Sequence, residues 1–109
     1  MGRWETQLRK GVVDLAVLAA IGEGESYGYG IVERLKGHAG LELTESTVYP
    51  VLTRLENEGL LAVRSEESPL GPRRRYYRLT TAGRARFRSM AEEFHVLFQS
   101  LSRLIEGAR

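Results

Sequence analysis

Three consecutive arginines, Arg73, Arg74 and Arg75, followed by Arg78, are the densest chemical feature of the chain. A planar guanidinium offers paired N–H donors that match the oxygens of a phosphate. From Arg64 to Arg88 there are eight arginines against Glu66 and Glu67, whereas Leu41 to Leu60 carries Glu42, Glu45, Glu56 and Glu58 against Arg54. The net charge is only +2, so the distribution carries the information: positive charge is concentrated in one third of the chain, as expected for a surface that meets a polyanion, the alternative being a solvated arginine-rich face. A second set lies just upstream, where Ser46, Thr47, Tyr49, Pro50, Thr53, Arg54 and Asn57 alternate with an apolar stripe. Small hydroxyls, a phenol, a guanidinium and an amide can donate to phosphates and to base edges without adding negative charge.

Other chemistries find less support. The chain has no cysteine, which excludes thiol catalysis, cysteine-bound zinc and a disulfide scaffold. Its one aspartate, Asp14, falls in an apolar helical stretch, and no serine, histidine and acid suggest a triad, so no enzyme activity is expected. Glu92-x-x-His95 matches a metal-binding step on a helix, but the same segment adds only Glu93 and Glu106, and no metal or cofactor is expected. Tyr27-Gly28-Tyr29-Gly30 contains Gly-x-Gly without a preceding strand or a following Lys-Ser/Thr, so it reads as a tight helix start and not as a phosphate loop.

These side chains need a scaffold, and 109 residues supply one domain with a core. Apolar residues at 42% and charged residues at 28% mark a soluble globular chain, and the longest apolar run, Leu15 to Ile21, is too short for a bilayer. With no leader pattern after Met1, a cytoplasmic location is expected. Leu8 to Ile21 is apolar nearly all round and predicts a central helix. Ser26 is placed to cap a short helix from Tyr27 to Lys36, stopped by Gly37. Val48, Val51, Leu52 and Leu55 give the buried stripe of a third helix; a cap at Ser46 or Thr47 would put Pro50 in its first turn. Ala62 to Glu67 and Arg73 to Leu79 predict a hairpin around Pro69-Leu70-Gly71-Pro72, with Tyr77 and Leu79 facing inward and Arg73 to Arg75 at the tip.

A last helix, capped by Thr80 or Thr81, runs to about Glu106. Phe87, Met90, Phe94, Leu97, Leu101, Leu104 and Ala108 step along it by three and four, widened by Ala91, Phe98 and Ile105. At about 39 Å it outreaches a globule about 30 Å across, which predicts packing on a second copy of the chain. The fold class is therefore mainly α with a small β-hairpin: a winged helix-turn-helix domain over residues 1–80 and a C-terminal dimerisation helix over 81–109.

The chain resembles the PadR family of winged-helix transcriptional regulators. The matching residues are Tyr27-Gly28-Tyr29-Gly30-Ile31, Ser46-Thr47-Val48-Tyr49-Pro50 through Leu61, and Gly71 through Gly83 with its Tyr76-Tyr77-Arg78-Leu79-Thr80 core. The resemblance implies a homodimeric regulator, usually a repressor, that binds a palindromic DNA operator, with the compact subfamily's single C-terminal helix. On that assignment the DNA-contacting set is Tyr27, Tyr29, Ser46, Thr47, Tyr49, Pro50, Thr53, Arg54, Arg73, Arg74, Arg75 and Arg78. The dimer interface comprises Trp4, Leu8, Phe87, Met90, Phe94, Leu97, Phe98, Leu101, Leu104 and Ile105. Some relatives of this type take planar hydrophobic effectors between the subunits. Here the last helix has no tryptophan, and Trp4 with Phe94 and Phe98 are the candidate pocket residues. The competing expectation is a winged-helix module that binds another protein and not DNA.

Overall fold

The computed structural model describes residues 2–109. Helix α1 (Arg3–Gly22) is followed by a short strand β1 (Ser26–Tyr27), helices α2 (Gly28–Lys36) and α3 (Glu45–Asn57), strands β2 (Leu61–Ser68) and β3 (Gly71–Leu79), and helix α4 (Thr81–Ala108). The core gathers Val17, Leu18 and Ile21 of α1, Ile31, Val32 and Leu35 of α2, and Val48, Val51, Leu52 and Leu55 of α3 under Leu61, Tyr77 and Leu79 of the hairpin. Residue types predicted this well, because each helix repeats its apolar positions at the spacing that makes one face.

Several local expectations change. Helix α1 begins at Arg3, five residues before the predicted start, so Trp4 and Leu8 ride on its exposed first half. Ser26 caps nothing: it is drawn into the sheet opposite Tyr77, with Tyr27 opposite Tyr76, and the predicted hairpin becomes a three-stranded antiparallel sheet in the order β1-β3-β2. Tyr27 is instead the residue that precedes α2, in an extended conformation and without a side-chain cap. Helix α3 starts earlier too, behind Thr44, which places Pro50 beyond the first turn. The ring therefore removes the donor that would have reached the Ser46 carbonyl. The position is tolerated because both residues lie on the solvent side of the helix.

The turn between β2 and β3 is only Pro69-Leu70, and Pro72 lies inside β3 near a register shift between Glu66 and Ser68. Alternation then holds to the base of the wing: Tyr77 and Leu79 are buried, Arg74 and Arg78 exposed. At that base Thr80 joins three elements. Its hydroxyl donates to the Gly59 carbonyl at 2.7 Å and accepts from Gly83 N–H at 2.9 Å, while its own N–H donates to the Leu60 carbonyl at 3.1 Å.

This corner forces the start of α4 against the backbone after α3. A Cβ on Gly83 would fall on the Leu60 carbonyl oxygen, with the carbonyl carbon 2.9 Å away. From there α4 leaves the globule, as its length requires: the molecule measures 56 × 33 × 20 Å. Among the described residues no helix is long and apolar enough to cross a membrane.

Gly83→Ala is expected to lower stability by about 1–3 kcal/mol, the range for overpacking against atoms that cannot yield. Gly107→Ala, which meets open space, serves as the matched control. Chemical denaturation of both variants checks this; equal midpoints would remove the close approach as a constraint.

Candidate nucleic-acid interface

Burial of the Val48, Val51, Leu52 and Leu55 stripe leaves Ser46, Thr47, Tyr49, Pro50, Thr53 and Asn57 exposed along the other side of α3. At its start, the Thr44 hydroxyl lies 2.9 Å from that of Ser46 and 3.2 Å from that of Thr47. Three hydroxyls thus cluster where the first N–H groups of the helix also point outward, an arrangement suited to anion oxygens. Thr53 turns its hydroxyl back onto the Tyr49 carbonyl at 3.2 Å, so in this conformation its methyl is the freer group.

Tyr49 is anchored at both ends. Its hydroxyl donates to Glu45 at 3.0 Å. Its ring fills the space beside Gly28, where a Cβ would meet Cζ at 3.1 Å. The Gly28 of the Tyr-Gly-Tyr-Gly segment therefore exists to admit a ring from α3. Partial removal from water, and then the bond to the Glu45 carboxylate, hold the phenol above its ordinary pKa. Glu45 was not singled out from the sequence; an acidic residue in the first turn reads simply as a helix-start preference.

Arg54, counted with the DNA-contacting set, is exposed but already paired with the protein's own carboxylates. Its guanidinium donates to Asp14 of α1 at 2.6 Å and lies 3.5 Å from Glu58. Asp14 is thus a tether for α3, and the bond to it raises the affinity of Arg54 for its proton. The two residues are 40 positions apart, and nothing local in the sequence couples them.

The wing arginines do not form one cluster at its tip. They lie on β3 below the Pro69-Leu70 turn, and strand alternation sends neighbours to opposite faces. Arg75 turns toward α3, and its Nη2 donates to both carboxylate oxygens of Glu56, at 2.9 and 3.0 Å. Arg74 lies over the Tyr27 ring at 4.5 Å, on the face that also presents Tyr76 and Arg78. Arg73 touches Glu67 at 3.3 Å.

Tyr27 is packed against Tyr76, their centroids 5.5 Å apart, while Tyr29 is more open. Arg64 is bound by Glu25 at 2.8 Å and by Glu66, and lies 4.6 Å from the Tyr76 ring. That pairing holds the Glu25 carboxyl below its usual range. The predicted surplus of positive charge is therefore partly cancelled on folding, because Glu25 and Glu56 arrive from other elements.

The apolar stripe divides in the same way. Phe87 and Met90 are partly buried on the chain's own core, whereas Leu97 (65% exposed), Phe98 (56%) and Leu104 (72%) stand free, with Leu101 and Ile105 beside them. Phe94 and Phe98 stack at 5.9 Å on this open surface. Trp4 is 67% exposed. Two shallow grooves of the single chain lie elsewhere, one between α1 and the start of α3 and one beside Ala16, Ala20 and Leu35. A pocket at Trp4, Phe94 and Phe98 would have to be completed by another surface. Among the described residues no cluster of histidines and carboxylates could hold a metal ion.

Known proteins share this arrangement. The family described as "Transcriptional regulator PadR-like family" matches residues 17–89. The chain is 34% identical over 104 residues to the transcriptional regulator Rv3488 of Mycobacterium tuberculosis, covering 94% of this chain and 91% of that protein. A PadR family transcriptional regulator from Eggerthella lenta superposes with a TM-score of 0.82 at 35% identity, over 93% of this chain and 88% of that one. Bacillus subtilis PadR, solved in complex with operator DNA, gives a TM-score of 0.68 at 27% identity, over 73% of this chain and 46% of that one.

If Asp14 tethers Arg54, then Asp14→Asn and Arg54→Met should each destabilise the fold modestly. Together they should be less than additive, with a coupling of about 0.5 kcal/mol for a pair this exposed. Denaturation of the two single variants and the double variant measures it, and strict additivity would refute the tether.

Proposed function

The chain belongs to the PadR-like family of transcriptional regulators, and from that membership we propose that it is a repressor that binds a palindromic operator as a homodimer. The observation that carries the reading is the outward face of α3. Ser46, Thr47, Tyr49, Pro50 and Asn57 line it, and the arginine-bearing wing stands beside it. In the proposed complex this face enters a major groove, with Tyr49 held by Glu45 and Gly28 at a fixed angle. Arg73, Arg74, Arg75 and Arg78 supply phosphate contacts that set register. Arg54 contributes through Asp14, by fixing α3 to α1, and not by reading bases.

The free stripe of α4, from Phe94 to Ile105, with Trp4 and Leu8 of α1, is the proposed contact with a second copy. The resulting two-fold axis sets the reading helices about 34 Å apart, one turn of DNA. A planar hydrophobic effector between the subunits, against Trp4, Phe94 and Phe98, would release the operator by favouring a different separation. Work in the cytoplasm follows from this reading.

The test is a titration of the protein against DNA from its own upstream region and against random duplex, at several salt concentrations. Sequence-selective binding is expected. Replacing Arg73, Arg74 and Arg75 together by alanine should weaken binding to both duplexes and flatten the salt dependence, since each lost phosphate contact reduces the slope by about 0.9. Tyr49→Ala should lower binding to the upstream duplex more than to the random one. An unchanged salt slope in the triple variant would reject the wing assignment. Capture of a protein with no binding to either duplex would favour the protein-interaction module instead.

The assembly is checked separately. Wild type should sediment as a dimer, and Leu97→Glu with Leu101→Glu as a folded monomer, because a carboxylate desolvated in an apolar contact is strongly unfavourable. A monomeric wild type would overturn the proposed interface.

A further inference from the structure

We propose that Glu56 is an internal counter-anion, occupying Arg75 in the free protein and giving it up to a DNA phosphate on binding, so that it sets the strength of sequence-independent binding. The proposal rests on the DNA-binding reading above. Its observation is the pair itself: two oxygens of one carboxylate on one guanidinium nitrogen, at 2.9 and 3.0 Å, joining the last turn of α3 to β3. A phosphate running between the helix and the wing would present oxygens of the same charge to the same nitrogen.

Among the arginines of β3 this hold is distinctive; on β2 the comparable hold is that of Glu25 on Arg64. Arg74 lies on an aromatic ring with no carboxylate, and Arg73 meets Glu67 at a single 3.3 Å contact, with the Glu67 side chain 86% exposed. The Glu56 side chain is only 31% exposed, so its partner is less easily replaced by water. Binding through Arg75 is then an exchange of anions. The guanidinium leaves one carboxylate for one phosphate, and the Glu56 carboxylate is left to hydrate beside a polyanion. Phosphates are alike on every duplex, so the exchange lowers affinity on all sequences alike and leaves base reading by Ser46, Thr47 and Tyr49 in the first half of α3 untouched.

The experiment compares wild type, Glu56→Gln, Arg75→Ala and the double variant on a random-sequence duplex across salt concentrations, with thermal melts to show that each is folded. Glu56→Gln should bind about fivefold tighter, the scale of one partly exposed ion pair. Arg75→Ala should bind more weakly with a salt slope smaller by about 0.9. The decisive arm is the double variant, in which the gain from Glu56→Gln should disappear. A gain that persists without Arg75 would be a general charge effect and would overturn the exchange. Equal or weaker binding by Glu56→Gln would overturn it too, identifying the pair as a brace that positions the wing. If all four folded proteins fail on both random and upstream duplex, it is the DNA-binding reading that falls, and the exchange falls with it; this outcome is distinct from the others.

Discussion

Everything outward on this molecule is decided by what α3 buries. Val48, Val51, Leu52 and Leu55 occupy one side of the helix and insert between α1, α2 and the sheet. A helix whose apolar residues are fixed at that spacing has no freedom to rotate, since turning it would expose the stripe and bury hydroxyls without partners. The polar face is thereby locked outward. Leu60 and Leu61 continue the burial, which fixes where the wing begins. Thr80 and Gly83 then bring α4 onto the same corner.

Around that hydrophobic arrangement the charges behave as couplers between elements. Asp14 ties α1 to α3 through Arg54, Glu56 ties α3 to β3 through Arg75, and Glu25 ties the loop before β1 to β2 through Arg64. Such partly exposed pairs add little to stability individually. Each sets a carboxylate from one element beside a guanidinium of another. They also lower the net positive potential of the wing, so the free protein is less of a bare cationic surface than its arginine count suggests.

The long helix completes the design with an opposite logic. Its first turns, through Phe87 and Met90, belong to the chain's own core; its remainder carries large apolar side chains into solvent. Exposed apolar side chains in this number are what the proposed contact with a second copy would cover. An elongated molecule 56 Å in its longest direction follows from keeping that surface clear of the domain that bears α3.

The sequence by itself determined the elements that rest on periodic burial: four helices and a hairpin, and the inward Tyr77 and Leu79. It also determined the family, because the Thr47-Val48-Tyr49-Pro50 and Tyr76-Tyr77-Arg78-Leu79-Thr80 segments carry both core and surface residues at fixed spacing. Only the tertiary structure decided the partners. Ser26 could be read as a cap until β3 drew it into a sheet. Pro50 could be placed in a first turn until Thr44 proved to precede the helix. Arg54 and Arg75 looked free until Asp14 and Glu56 reached them. For Ser26, Arg54 and Arg75 the physical reason is the same, while the start of α3 was a choice among neighbouring residues Thr44, Ser46 and Thr47 that share the same capping chemistry. Burial repeats along the chain and can be read locally, whereas a strand pair, a cap competing with it, or an ion pair depends on a residue that folding brings from elsewhere.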